Sequence, residues 1–193
     1  MTPLPPYFFG YGSLVNTATH DYLDAQPARL RGWQRRWCHT ALRDVAFLTV
    51  EPAPEVQIDG LIAAVPDGDW DALDKREFAY DRLPADHQIR HALPGCPEIS
   101  LYAVPAEAQN QGSQCHPILL SYLDVVVQGH LQVFGEAGVE DFFASTKGWQ
   151  APILNDRQDP RYPRHQQLSR TESQLVDHHL RQLSVEIMHE RPV

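Results

Sequence analysis

The sequence predicts an α+β fold, with strands concentrated in the first third of the chain and helices in the last. Apolar runs bounded by glycine and proline have the length of buried strands; they lie at 7–14, 28–37, 47–50 and 58–65. Apolar residues at helical spacing fill 118–134 and follow a capping sequence at 169–172. The 193 residues, 42% of them hydrophobic, suffice for one sizeable core, so we predict a single domain over 1–193.

The charge balance excludes two classes of partner. The chain has 16 Lys+Arg against 25 Asp+Glu, a formal net charge of −9. Such a field repels nucleic-acid phosphates and anionic lipid heads, so we expect neither nucleic acid nor a membrane surface as partner. The three cysteines, Cys38, Cys96 and Cys115, lie far apart without a CxxC, which favours a reducing compartment over a disulfide framework or zinc ribbon. No signal peptide or membrane span is recognised, so we expect a soluble, cytoplasmic protein.

The first predicted strand ends in an unusual turn. Residues 7–14 read YFFGYGSL, an aromatic run that breaks at two glycines and a serine. Gly10 and Gly12 permit a sharp turn with exposed backbone N–H groups, because no side chain shields them. Such a turn can bind an anion or oxyanion, or it can be a tight turn without a ligand.

The middle of the chain alternates strands with one helix. Residues 28–37 carry four arginines and predict a strand with a basic face; separate strands follow at 47–50 and 58–65. Asp67-Gly68-Asp69 offers an N-cap for a helix of about three turns over 70–80. Strands at 88–93 and 99–104 complete a predicted core over about 7–105.

The C-terminal part, about 117–190, is predicted as a helical and coil extension. Pro117 suits the first position of a helix over 118–134, and a short second helix is expected over 139–145. Residues 152–165 contain three prolines and predict an ordered coil. The capping box at 169–172 begins the last helix.

Glu77 is the anomaly of the predicted helix 70–80. At about 100° per residue it shares a face with Trp70 and Leu73, which must point inward. A carboxylate on this face is either paired with a cation, protonated part of the time, or used in catalysis, because a buried unpaired charge is costly. Desolvation raises a carboxyl pKa towards the range useful to a general acid or base. A salt bridge to an arginine of 28–37 is the structural alternative.

Three segments in this order resemble the γ-glutamylcyclotransferase-like superfamily: FGYGSL at 9–14, LRGW at 30–33, and LDKRE at 73–77 with Tyr80 following. The superfamily includes cyclotransferases for γ-glutamyl amino acids, for glutathione and for γ-glutamylamines. The segments span about the first half of the chain, and their combination is more specific than any one alone. The resemblance implies a small mixed β-barrel with flanking helices.

The resemblance also implies roles for individual residues. Glu77 is the implied catalytic acid/base, and the implied substrate-binding residues are Tyr11, Gly12, Ser13, Leu14 and Tyr80. In the implied reaction the substrate's own α-amine attacks its γ-carbonyl, which closes a five-membered ring and releases 5-oxoproline and an amine. The partner is then a small γ-glutamyl molecule, and neither a metal nor an organic cofactor is expected.

The sequence departs from the glutathione-specific branch in two places. Ala79 stands where that branch tends to have glycine, and Val15-Asn16 replaces an aromatic residue that often follows the turn. Both weaken glutathione as the expected donor. The coil 152–165 matches nothing in that branch, so we expect it either to fold over the barrel and contact the site or the leaving group, or to be a solvated or core-packing coil.

The sequence supports three other functions less strongly than a cyclotransferase. A serine hydrolase would use Ser13, but the Gly-x-Ser-x-Gly elbow and a recognisable base are missing. Adjacent Cys-His pairs at 38–39 and 115–116, and the histidine pairs 87/91 and 178/179, suggest no dyad and no third zinc ligand. The alternative of a different class is a non-catalytic module that binds a γ-glutamyl or other small acidic metabolite; Glu77 argues against it.

Overall fold

The computed structural model describes residues 4–110 and 116–189. Its strands are β1 (Tyr7–Gly10), β2 (Gln26–Cys38), β3 (Phe47–Ala64), β4 (Asp81–Pro84), β5 (Ile89–Arg90), β6 (Ile99–Ala103), β7 (Ile118–Leu119), β8 (Thr146–Lys147), β9 (Ile153–Leu154) and β10 (Ile187–Met188). The α-helices are α1 (Trp70–Arg76), α2 (Leu120–Ser145) and α3 (Arg170–Leu183). The predicted α+β class is confirmed. Cys115 and most of the loop before it lie outside the described residues.

The main sheet is mixed and curls into a half-barrel. Its order is β4-β6-β1-β3-β2-β5, with β8 added beside β2, while β10-β9-β7 form a small parallel sheet. β1 is central, antiparallel to β3 and parallel to β6. Its aromatic side chains are 2–6% exposed and pack on both sheet faces. The glycine turn therefore follows a buried strand at the centre of the main sheet.

The two long strands differ from the expected pattern at two points. β3 is one strand of 18 residues, and Pro52 and Pro54 lie where β2 is its one partner strand among the described residues, an edge position that tolerates proline. In β2 the register shifts between Arg31 and Trp33, around Gly32 with φ +79°. This bulge reverses the inside–outside alternation. The predicted basic face is therefore wrong at Arg35, whose side chain is fully buried.

Helix α1 is shorter than predicted. Asp69 caps it as expected, accepting a hydrogen bond of 3.1 Å from the Ala72 N–H. The helix ends at Arg76, however, because the chain must turn at once to enter β4 and pair with β6. Glu77 is the C-cap residue, and its N–H donates to the Leu73 carbonyl at 2.9 Å.

The helices of the C-terminal part also required correction. Residues 118 and 119 pair with β9 as β7, so Pro117 does not start a helix and α2 begins at Leu120. The prediction of two helices, 118–134 and 139–145, is confirmed: α2 consists of two helices that meet at Gly135, whose φ of +69° is not helical. The strand predicted at 88–93 is reduced to β5. The capping box of α3 is confirmed, with Ser169 and Glu172 exchanging backbone hydrogen bonds.

A buried polar cluster, called here the Arg157 network, ties the coil after β9 to the helices. Asp156 accepts hydrogen bonds from the Ser121 N–H (2.8 Å) and hydroxyl (2.6 Å) at the start of α2. Arg157 donates to both carboxylate oxygens of Asp124, each at 2.7 Å, and to Asp177 of α3 at 2.7 Å. The network fixes the coil against α2 and α3.

Across 4–110 and 116–189, no helix is long and apolar enough to cross a bilayer.

Candidate active site

A cavity of about 290 Å³ lies beside the end of β1, a volume at the lower end for small-molecule sites, which run from about 300 Å³ upward. Its walls come from the glycine turn, the segment after α1, the first turn of α2 and the coil 161–164. All six residues that the resemblance implicated line this cavity: Tyr11, Gly12, Ser13, Leu14, Glu77 and Tyr80. The fold therefore brings the turn and the carboxylate together.

The glycine turn lines the cavity, and two of its backbone N–H groups have no protein acceptor among the described residues. Residues Ser13–Val15 form one 3-10 turn, in which the Val15 N–H donates to the Gly12 carbonyl at 3.0 Å. Within the described chain, neither the Gly12 nor the Leu14 amide N–H donates to a protein acceptor. Gly12 has φ −121°, an ordinary value, but a Cβ there would lie 2.5 Å from the Tyr122 hydroxyl. The space around Gly12 therefore favours glycine at this position.

Arg35 holds this turn from behind. Its Nε donates to the Tyr11 carbonyl at 3.0 Å, and its other nitrogens reach the Asp59 carbonyl and the Ser145 hydroxyl. In a planar trans peptide the C=O and the following N–H point in opposite directions. Because Arg35 fixes the Tyr11 carbonyl on its own side, the Gly12 N–H is directed away from Arg35, which does not line the cavity.

His130 completes the surroundings of Arg35. Its Nε2 lies 3.1 Å from an Arg35 nitrogen, and its Nδ1 lies 2.9 Å from the Val126 carbonyl. The network assigns the proton to Nδ1, which donates to Val126, while Nε2 accepts from Arg35. Burial lowers the pKa of His130 to about 3, so the ring is neutral and the guanidinium has a compatible neighbour. Burial also lowers the pKa of Arg35 to about 10, which still leaves it charged at neutral pH.

Glu77 is a largely desolvated carboxylate with a weak ion pair. Its side chain is 29% exposed, and its one ion pair within the described residues is to Nε of Arg76 at 3.5 Å, beyond ordinary hydrogen-bond length. Burial raises the pKa of Glu77, and Arg76 offsets the shift only in part. The proposed salt bridge to a β2 arginine is wrong: Arg35 is engaged behind the turn, Arg36 pairs with another carboxylate, and Arg31 is exposed.

The tyrosines serve mainly as walls. The Tyr11 hydroxyl donates to the Tyr102 carbonyl at 2.7 Å, and the Tyr80 hydroxyl donates to the Leu48 carbonyl at 3.2 Å. Burial raises the pKa of both hydroxyls, and the nearby Glu77 charge adds to the shift. Both hydroxyls are therefore neutral and committed to the fold, so their rings shape the cavity.

His20 lines the cavity and is the rival candidate for a base. Its Nε2 lies 2.9 Å from the Leu14 carbonyl, and its Nδ1 accepts from the Tyr22 N–H at 3.2 Å. These contacts assign a neutral ring with both nitrogens occupied. Burial lowers the pKa of His20, which keeps it neutral. His20 therefore supports the turn, and Glu77 is the better acid/base candidate.

The coil 152–165 has two parts: the first packs against the helices, and the second lines the cavity. Asp156 and Arg157 belong to the Arg157 network, whereas residues 161–164 line the cavity. The prediction that the coil contacts the site is thus confirmed for its second part. Sequence reasoning missed Arg35, Arg43 and Tyr122. Tyr122 looked like a core residue of an apolar helix, and Arg43 lies in a loop without a motif.

Comparisons with known proteins concern the fold and the N-terminal segment. A family model described as ChaC-like protein matches residues 6–46, which include the glycine turn. No curated protein sequence matches the chain. Among solved structures, YkqA from Bacillus subtilis has a TM-score of 0.55 at 19% identity, over 75% of this chain and 56% of YkqA. This chain thus spans little more than half of YkqA.

Two other structures match over nearly their whole length. An uncharacterized human protein has a TM-score of 0.54 at 15% identity, over 89% of this chain and 97% of its own. A protein named gamma-glutamyl cyclotransferase has a TM-score of 0.54 at 14% identity, over 90% of this chain and 98% of its own. The chain therefore has the γ-glutamyl cyclotransferase fold that the resemblance implied.

Proposed function

We propose that this protein is a cyclotransferase that converts a γ-glutamyl amide to 5-oxoproline and releases an amine or amino acid. The observation that carries the proposal is the position of Glu77: a desolvated, weakly paired carboxylate in the same cavity as the free amides of the glycine turn. Fold, family-model match and cavity size support the same activity.

Glu77 would carry protons between two nitrogens of the substrate. The α-ammonium gives a proton to the Glu77 carboxylate, and the freed amine attacks the γ-carbonyl to form the ring C–N bond. Glu77 then protonates the departing nitrogen, and the original amide C–N bond breaks. Over the whole reaction the α-nitrogen loses two protons as it changes from ammonium to lactam N–H. The leaving nitrogen gains two as it changes from amide N–H to ammonium, so no net acid or base is needed. A carboxyl pKa raised by burial suits this exchange.

The glycine turn would stabilise the developing oxyanion. The amides of Gly12 and Leu14 have no acceptor among the described residues, and the turn that carries them is held by Arg35. Preorganised amides of this kind are worth about 10²–10³ in rate per donor in other enzymes. Backbone binding also explains why Ser13 needs no base nearby: in this mechanism its hydroxyl forms no covalent bond to the substrate.

The test is a panel of γ-glutamyl donors assayed for both products. The proposal predicts equal amounts of 5-oxoproline and free amine, and no glutamate, because water does not attack the γ-carbonyl. A donor with an N-acetylated α-amine should be inert, since it lacks the nucleophile. Glutamate as the product would indicate a hydrolase, and binding of the donors without turnover would indicate the non-catalytic module.

A further inference from the structure

Three arginines at the cavity lack a carboxylate partner. Arg43, Arg161 and Arg164 line the cavity, and none of them forms an ion pair with an acidic residue of 4–110 or 116–189. The whole chain has a net charge of −9, so a concentration of unpaired cations here does not follow from its composition. The cavity's one carboxylate, Glu77, is already beside Arg76.

The two coil arginines are held in place by the backbone around them. The Arg161 N–H donates to Asp156 at 3.0 Å, and the Tyr162 N–H donates to the Ser121 hydroxyl at 3.3 Å. The Tyr162 ring packs edge-to-face on Tyr122 at 4.9 Å. The segment is thus anchored in the Arg157 network on one side and in the cavity wall on the other, so ordering its backbone need not accompany binding.

Among the three, Arg164 has the surroundings that most favour an anion, whereas Arg43 and Arg161 are exposed. Arg164 is half-buried and stacks over the Tyr162 ring at 5.7 Å, and burial lowers its pKa. A cation that has lost part of its hydration gains most from a charged acceptor. Arg43 enters from the loop between β2 and β3, where its guanidinium lies 5.4 Å from the Phe78 ring centre.

Resting on the proposed function, we infer that Arg43, Arg161 and Arg164 form the subsite for the leaving amine and select amines that bear carboxylates. The γ-glutamyl group itself brings one carboxylate and one ammonium. If its carboxylate occupies one guanidinium, two others remain for negative charges on the leaving amine. The subsite therefore fits an acidic amino acid or acidic peptide better than a neutral amine, and it disfavours a polyamine.

The first experiment compares isosteric donors that differ only in leaving-group charge. The series is γ-glutamyl-glutamate, γ-glutamyl-glutamine and γ-glutamyl-glutamine amide, with two, one and no carboxylates on the released amine. The kcat/KM for 5-oxoproline formation should fall at each step, by about tenfold where a charge-assisted hydrogen bond to arginine is lost. γ-Glutamylputrescine should be the poorest donor. Equal kcat/KM across the series would overturn the inference.

The second experiment assigns the preference to the arginines. In Arg161→Gln/Arg164→Gln the ratio of kcat/KM for γ-glutamyl-glutamate to that for γ-glutamyl-glutamine amide should fall towards one. Arg43→Gln tests the same subsite from an exposed loop and cannot disturb the coil. Arg90→Gln is the matched control, because Arg90 is exposed on β5 and does not line the cavity. A ratio unchanged in both subsite variants would contradict the assignment.

A third measurement separates the inference from the proposed function. N-Glutaryl-glutamate and N-glutaryl-glutamine lack the α-amine and cannot cyclise, so their binding is measured by calorimetry without turnover. N-Glutaryl-glutamate, which has one carboxylate more, should bind about tenfold more tightly than N-glutaryl-glutamine to the unsubstituted protein and lose this advantage in the arginine variants. If no donor yields 5-oxoproline, the proposed function fails, but this difference in affinity still supports the subsite. Equal affinities would overturn the subsite.

Discussion

The Arg157 network and the cavity both contain several charged groups, yet only the network pairs its charges with one another. Arg157 makes three hydrogen bonds of 2.7 Å to two carboxylates, and Asp156 caps the start of α2 with both oxygens. In the cavity, Glu77 has one ion pair of 3.5 Å, and the coil arginines have no carboxylate partner in the described chain. The two regions adjoin through the same coil.

The difference indicates what each region is for. Charges whose hydrogen-bonding capacity is used within the fold stabilise one arrangement of α2, α3 and the coil. Charges left without partners in a cavity are costly to the folded state and are explained by a ligand that completes them. Substitutions in the network should therefore change stability, whereas substitutions in the cavity should change activity.

The largest expected effect on stability is that of Arg157→Met. This change leaves Asp124, which is 5% exposed, without its counter-ion. Breaking a buried ion pair from one side typically costs about 3–5 kcal/mol in the free energy of unfolding. Chemical denaturation measures it, with Arg29→Met as the control: Arg29 is 48% exposed in its pair with Asp59, and such pairs contribute about 1 kcal/mol or less. Equal losses of unfolding free energy in Arg157→Met and Arg29→Met would contradict a stabilising role specific to the Arg157 network.

The next largest effect is expected for Gly12→Ala, and it should be a lower kcat rather than a lower stability. The added Cβ would lie 2.5 Å from the Tyr122 hydroxyl, so the turn or the ring must move. Losing one well-placed amide donor reduces kcat by about 10²-fold, whereas Ser13→Ala should change it little. Adding Tyr122→Phe to Gly12→Ala should recover part of the rate by relieving the contact. An inactive Ser13→Ala with an accumulating acyl-enzyme would instead indicate a serine nucleophile.

A smaller effect is expected on the pH dependence of stability. Burial raises the pKa of Glu77, so the folded state binds its proton more tightly than the unfolded state. Stability is then lost as pH rises from about 4.3, the ordinary glutamate pKa, through the raised value. Glu77→Gln removes this loss, so its Tm should equal that of the unsubstituted protein in acid and exceed it at neutral pH. A lower Tm at neutral pH would mean that the pair with Arg76 stabilises the fold.

The sequence predicted the parts of the site that depend on local pattern. The glycine turn follows from an aromatic strand broken by two glycines, and Glu77 was found by its place among apolar neighbours. The position of Arg35 could not be predicted, because the bulge at Gly32 that turns it inward is set by pairing between β2 and β3. The early end of α1 likewise depends on the pairing of β4 with β6, which is not a local property.

The coil 152–165 shows the same limit on what local sequence patterns can predict. Its prolines predicted an ordered segment, but the placement of Arg161 and Arg164 depends on contacts that Asp156 and Arg157 make with helices more than a dozen residues away in sequence. Tyr122 was hidden for a similar reason: its spacing is that of a core residue, and only the packing of α2 against the glycine turn brings its hydroxyl to the cavity.

The central claim is that Glu77 carries the proton while the turn binds through its backbone. It is tested most directly by measuring 5-oxoproline release from a γ-glutamyl dipeptide under single-turnover conditions, with Glu77→Gln beside the unsubstituted protein. The account predicts a loss of about 10²–10⁴-fold, the usual contribution of a general acid/base, with the fold and donor affinity retained. Release of 5-oxoproline at an undiminished rate by Glu77→Gln would contradict it.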